Sequence, residues 1–150
     1  MVLSCGDALA EADCSASTTG VAFAGYDPLA PVPNDSTGNV TVVCSYVSGS
    51  AEKVAYAVRL STGNSATYAS RRMKAGISVL NYNLFSNTGR TAVWGNGIGG
   101  TTVMSGSFTV GPGNGNGQRQ DSRTIYGRIP ARQDVLDGAY ADTIIVTLEF

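Results

Sequence analysis

Few side chains in this sequence are of types that do chemistry, so the first question is whether any of them are spaced to do it. Asp121, Asp134, Asp137 and Asp142 are the acids that could pair as general acid and base, the arrangement that cleaves glycosidic bonds. They are scattered through loop-like sequence, where acids are ordinarily solvated surface. Histidine is absent, which excludes His-based triads, His-ligated zinc and a histidine proton switch. Gly111 to Gly117 is glycine-rich, yet it lacks the following helix and the lysine of a phosphate cradle. No Asp-x-Asp-x-Asp-Gly spacing points to calcium. The residues predict no catalytic site, no cofactor and no metal. Asn34-Asp35-Ser36 and Asn39-Val40-Thr41 match the N-glycosylation tripeptide, a short pattern of little weight.

The 19 glycines, with many Thr, Ser, Val and Asn residues, are the composition of short strands joined by tight turns. At 150 residues the chain fits one domain. A net charge of -1 with 14% charged residues argues against nucleic acid, since phosphate contacts need a Lys/Arg surplus. No apolar run approaches the ~20 residues of a membrane span. Of the three cysteines, Cys14 and Cys44 each sit beside strand-like sequence. Pairing them closes a loop of roughly 30 residues, worth about 3.5 kcal/mol in the chain-entropy model. Free thiols are the alternative, but the low charge and abundant Ser, Thr and Gly favour an exported, oxidised protein.

The elements that would position these residues are all strands. Met1 to Asp13 reads as the tail of a secretory signal, with Ala8-Leu9-Ala10 and Ala10-Glu11-Ala12 as cleavage candidates, or as a disordered N-terminus. Cys5 falls within it. Cys14 to Tyr26 is a first strand with Val21 and Phe23 on one face, followed by a proline-rich loop to Asp35. Strands follow at Asn39–Tyr46, Lys53–Leu60 and Val79–Phe85, while Ala66 to Lys74 is a polar connection. Arg90 to Gly95 reads as a hairpin partner of the strand before it. Further strands are Thr101–Val110 and Thr124–Ile129, the latter stopped by Pro130. About seven or eight strands at roughly 8–14-residue intervals, without a convincing helix, predict an all-β antiparallel sandwich. Trp94 and Tyr82 are expected in its core or on a sheet face.

The chain is organised around its last stretch. Ile144, Val146, Leu148 and Phe150 alternate with Ile145, Thr147 and Glu149, the pattern of a strand with one buried face. No further strand follows Phe150, so its partner must come from an earlier part of this chain or from another chain. If this strand and Thr124–Ile129 are antiparallel neighbours, Arg128 reaches Asp142 and Gly127 leaves room for Tyr140.

With these residues laid out, the chain resembles the spore coat protein U domain family, which includes subunits of the archaic chaperone–usher pili of Gram-negative bacteria. The matching stretches are Cys14-Ser15-Ala16 on to Phe23-Ala24-Gly25-Tyr26-Asp27-Pro28-Leu29, then Val40-Thr41-Val42-Val43-Cys44 and Leu80-Asn81-Tyr82-Asn83-Leu84-Phe85. Val93-Trp94-Gly95-Asn96-Gly97, Tyr126-Gly127-Arg128-Ile129-Pro130-Ala131 and Gly138-Ala139-Tyr140-Ala141-Asp142-Thr143 complete them in the family's order. The resemblance implies an immunoglobulin-like sandwich over residues 14–150 that lacks its final strand, with a groove beside the C-terminal one. It implies that a periplasmic chaperone fills the groove first. At the outer-membrane usher, the N-terminal extension of a neighbouring pilus subunit then replaces it, a form of β-augmentation. By position, Ile144, Val146, Leu148 and Phe150 would line one side of the groove, Val21 and Phe23 the other, and Cys14 and Cys44 match the family's disulfide.

One departure shapes the expected role. A polymerising subunit carries an alternating apolar donor segment before its first cysteine, whereas Met1 to Asp13 offers Val2, Leu3 and Leu9 without regular alternation. The expectation is a non-enzymatic subunit of a surface fibre, exported through the periplasm to the cell surface, serving adhesion or biofilm formation. The alternative is a tip adhesin-type binding domain, or a secreted spore-coat-like protein, that accepts but does not donate a strand. The binding loops would then be Ile98 to Thr102 or Gly111 to Gly117.

Overall fold

Strands form where apolar side chains recur at every second position, because that spacing places them on one face of an extended chain. The computed structural model describes residues 11–113 and 117–150. Eight strands form there: β1 (Glu11–Thr19), β2 (Asn34–Ser48), β3 (Glu52–Leu60), β4 (Arg71–Ala75), β5 (Ser78–Phe85), β6 (Met104–Val110), β7 (Gln118–Ile129) and β8 (Val146–Glu149). One sheet has the order β1-β2-β7-β5-β4 and the other β6-β3-β8. All the strand pairs are antiparallel. Val40 and Val42 of β2, Val58 and Leu60 of β3, Leu80 of β5 and Ile129 of β7 are almost fully buried, so the core lies between the two sheets. This is the expected all-β sandwich of immunoglobulin-like type. Trp94 is fully buried within it, its indole Nε1 donating to the Val58 carbonyl at 2.9 Å.

Cys14 and Cys44 stand directly opposite each other across β1 and β2 and form a disulfide, their Cα atoms 4.1 Å apart. Bridging these neighbours fastens the edge strand β1 to the interior strand β2. Residues 1–10, including Cys5 and most of the expected leader, lie outside the described residues, while Glu11 to Asp13 are part of β1.

Five expectations change. The first strand ends at Thr19 rather than Tyr26, and β2 begins at Asn34 rather than Asn39, with Asn34 and Asp35 paired to Ile129 and Arg128. The connection read at Ala66 to Lys74 contains the start of β4, hidden because an inward position of that strand is an arginine, Arg71. Arg90 to Gly95 forms only isolated bridges, Phe85 with Val93 and Trp94 with Thr102. The Asn87 side chain accepts from the amides of Thr91 and Ala92 and curls the chain into a turn instead. Finally, β8 is not a neighbour of β7: it pairs with β3 in the other sheet, from Leu60↔Val146 to Ala57↔Glu149. Its other edge faces no strand among the described residues.

Candidate functional site

The open edge of β8 looks across an apolar groove at residues 20–26, and the two walls are built differently. The ladder between β1 and β2 ends at Thr19↔Asn39, and there the chain leaves the sheet edge and crosses inward. Gly38 permits the crossing: a Cβ there would lie 2.5 Å from the Thr19 carbonyl oxygen and 3.0 Å from Val21 Cγ2. Asn34 and Ser36 occupy the same face of β2 as Gly38, Val40 and Val42. They are polar because backbone lies against them. The Ser36 hydroxyl donates to the Ala22 carbonyl at 2.5 Å, and the Asn34 amide donates to the carbonyls of Ala24 and Gly25 at 3.0 and 3.3 Å. Tyr26 closes the far end, its hydroxyl donating to Pro130 O and accepting from Gln133 N, both at 2.8 Å. Val21 and Phe23 point into the groove over Gly127, where a Cβ would lie 2.6 Å from Val21 and 2.7 Å from Phe23. The space at Gly127 therefore serves these two residues, not Tyr140.

The second wall, residues 140–150, is fastened by backbone. Ala141 exchanges hydrogen bonds with Lys74 at 2.9 and 3.1 Å, and the Ile145 carbonyl accepts from Ser61 N at 3.0 Å. Ile145 N donates to Ser61 Oγ at 2.9 Å, and β8 continues along β3. The Asp142 carboxylate adds a clamp, accepting from the Tyr82 hydroxyl at 2.7 Å, Asn64 N at 2.8 Å and Thr143 N at 2.7 Å. Burial, with the Asp142 carboxylate beside it, pushes the Tyr82 phenol well above its ordinary range. It stays a protonated donor at any physiological pH.

Two clefts make up the middle of the groove. One of about 320 Å³ is lined by Val21, Phe23, Tyr82, Ile144 and Val146 among others, and one of about 480 Å³ by Phe23, Tyr26, Met73, Leu136 and Tyr140 among others. Val21, Phe23, Met73 and Tyr140 line both, so the clefts are consecutive stretches of one depression. Leu60, Leu80, Tyr82, Leu84 and Ile129 contribute to the floor. Chemically this is a trough for alternating apolar side chains, with exposed strand edge beside it.

Of the residues singled out by sequence, Val21, Phe23, Ile144 and Val146 meet in the smaller cleft. Leu148 packs against the core beyond it. Phe150 is 59% exposed and lies at the far end of the second wall, in a separate shallow cleft with Ala12 and Val47. Arg128 does not reach Asp142: it forms a two-pronged pair with Asp35 at 2.7 and 2.8 Å. The reason is topological, since β7 lies between β2 and β5 while Asp142 leads into the other sheet. Hydrogen bonding from Arg128 outweighs partial burial and holds the Asp35 carboxyl below the usual carboxylate range. Tyr126 lies under the Arg90 guanidinium, 5.6 Å from its ring centre.

The carboxylates form no acid–base pair. Asp121 is held by Tyr56 and Arg123, Asp142 by its clamp, and Asp134 and Asp137 are exposed. Among the described residues no cluster of His, Cys, Asp and Glu is placed to hold a metal.

Two features of the site went unread in the sequence. Arg71 is fully buried, donating to Ser61 O, Asn83 Oδ1 and Trp94 O at 2.9, 2.7 and 2.6 Å, with its guanidinium 5.2 Å from the Tyr68 ring centre. It braces the segment that carries the second wall. Of Asn34 and Ser36, which hang the first wall, Asn34 was read as loop and Ser36 was placed in no element. Their signal was phase, since they continue the inward positions of Val40, Val42 and Cys44 toward the N-terminus of β2.

Comparison with known proteins fits this geometry. The family model described as Spore Coat Protein U domain matches residues 2–147. Protein U of Myxococcus xanthus is 28% identical over 137 residues, covering 85% of this chain and 70% of that protein. Among solved structures, the chain is similar to one in the CsuC–CsuE chaperone–tip adhesion subunit pre-assembly complex from the archaic chaperone–usher Csu pili of Acinetobacter baumannii. The TM-score is 0.54 at 23% identity, over 93% of this chain and 40% of that one. That likeness is one of fold, and this chain spans less than half the length of the other.

Proposed function

The chain belongs to the Spore Coat Protein U domain family, and from that premise we propose that it is a non-enzymatic structural subunit of a chaperone–usher-type surface fibre, working by accepting a strand from another chain. The observation that carries this reading is the groove, with apolar side chains on both walls and floor and beside it an edge of β8 that no strand among the described residues pairs. An incoming strand would pair its backbone with that edge and bury every second side chain in the trough, gaining about 25 cal/mol per Å² of apolar surface removed from water. Left empty, such an edge is a template for aggregation. A periplasmic chaperone's strand fills it first, and the N-terminal segment of a neighbouring subunit replaces it at the outer-membrane usher. The protein is exported, crosses the periplasm and ends at the cell surface, in adhesion or biofilm formation.

Thermal unfolding of the full chain, alone and with a synthetic strand peptide carrying apolar residues at every second position, tests the proposal. With the peptide at about 100 times its Kd, added stability of about 2.7 kcal/mol is expected, a rise in Tm of roughly 8 °C. An unchanged Tm at saturating peptide would refute strand acceptance.

A further inference from the structure

We infer that Asn34 and Ser36 are positioning residues that set the first wall of the groove for an incoming strand, an inference that rests on the strand-accepting reading above. The wall departs from the β-ladder at Thr19 and is next fixed at Tyr26. Between those points the structure ties its carbonyls to the sheet through the side chains of Ser36, on Ala22, and Asn34, on Ala24 and Gly25. These bonds decide how far Val21 and Phe23 stand from Ile144 and Val146 across the smaller cleft. They also engage the carbonyls on the side toward β2, so the wall's other edge is turned to the groove. A wall hung in this way moves when a few side-chain bonds move, whereas a ladder moves only with its whole sheet. Asn34 and Ser36 therefore act on how firmly a strand is gripped without touching it.

The test uses the full chain and a labelled alternating-apolar strand peptide, with Asn34→Asp, Ser36→Ala and Ser36→Thr. Asn34→Asp keeps the shape but replaces a donor by an acceptor facing two carbonyls, which separates hydrogen bonding from packing. Asn34→Asp and Ser36→Ala should each release the peptide about tenfold faster. Ser36→Thr retains the hydroxyl and should release it at close to the parent's rate. In the same variants without peptide, amides of residues 20–25 should exchange with solvent faster while those at the centre of β2 and β7 are unchanged. Parent-like release and exchange in both disrupting variants overturn the inference. So does faster exchange spread equally over β2 and β7, because the two residues would then merely stabilise the sandwich. A parent chain that binds no peptide overturns strand acceptance itself, and the exchange pattern then reports separately whether these side chains hold the wall.

Discussion

The two walls of the groove face each other across the same floor, yet one is hung and the other is built in. Residues 20–26 are tied to β2 by the side chains of Asn34 and Ser36, and to Pro130 and Gln133 beyond β7 by the Tyr26 hydroxyl. Residues 140–150 are tied by backbone bonds to Lys74 and Ser61 and by the β3–β8 ladder. Backbone ladders are cooperative, so the β8 stretch of the second wall opens with its sheet. The first can shift by trading individual bonds of about 1 kcal/mol each. A strand-accepting groove is well served by this asymmetry: a fixed edge supplies register, and an adjustable wall closes on what has been bound.

The largest expected effect comes from breaking the brace of the fixed wall. Arg71 is fully buried and donates to Ser61 O, and Ser61 in turn holds Ile145 by both its amide and its hydroxyl. Among the described residues no carboxylate pairs with Arg71, so its charge is met by carbonyls and the Tyr68 ring. Replacing it with Leu removes a buried charge, a gain, but strands Ser61 O and Trp94 O, each costing about 1–3 kcal/mol, and leaves Asn83 Oδ1 with the Leu84 amide alone. Arg71→Leu should lower stability by about 3 kcal/mol, near 10 °C in Tm. Its amide exchange should rise first at residues 144–146. A variant that loosens both walls to the same degree would erase the distinction between them.

The same contrast separates what the sequence made legible from what it did not. Val54, Tyr56, Val58 and Leu60 of β3, and Leu80, Tyr82 and Leu84 of β5, were readable because a half-buried strand writes its burial as alternation. Val21 and Phe23, Ile144 and Val146 were likewise readable as inward residues. Alternation names the face and is silent on the neighbour, which is why β8 could be expected beside β7 when it pairs with β3. It is also silent where the inward residue is polar. Arg71 faces carbonyls and Asn34 and Ser36 face a crossing backbone, so β4 and the start of β2 looked like connections. The polar inward positions are where the walls are attached, and a hydrophobic pattern passes over them.

A middle-sized effect is expected at the clamp of the fixed wall. Asp142→Ala deprives the Tyr82 hydroxyl and the Asn64 amide of their acceptor. Tyr82 is 4% exposed, so its hydroxyl is left poorly satisfied, and a loss of about 2 kcal/mol follows. Chemical denaturation should show the loss as a lower midpoint at unchanged slope, with faster exchange confined to residues 141–144. Equal acceleration at residues 20–25 would instead mean that Asp142 supports both walls.

The smallest effect should come from Asp35, which lies between the two hanging residues but belongs to the alternate, outer face of β2. Its pairs with Arg128 and Arg90 at 2.7 and 3.4 Å are partly exposed and are worth about 0.5 kcal/mol after solvent screening. Because the folded-state pKa is lowered, first by the Arg128 hydrogen bond, this stability is present above the unfolded carboxylate value, about 3.9. It disappears as pH falls through the folded value. Asp35→Asn should therefore be slightly less stable than the parent at pH 7, and the difference should shrink in high salt and vanish once the pH has fallen below the folded-state value. The peptide's release rate and the exchange of residues 20–25 should not change, because the outer face of β2 carries no part of the wall. An Asp35→Asn chain that releases the peptide as fast as Ser36→Ala would show that the hung wall depends on the strand as a whole rather than on the side chains it hangs from.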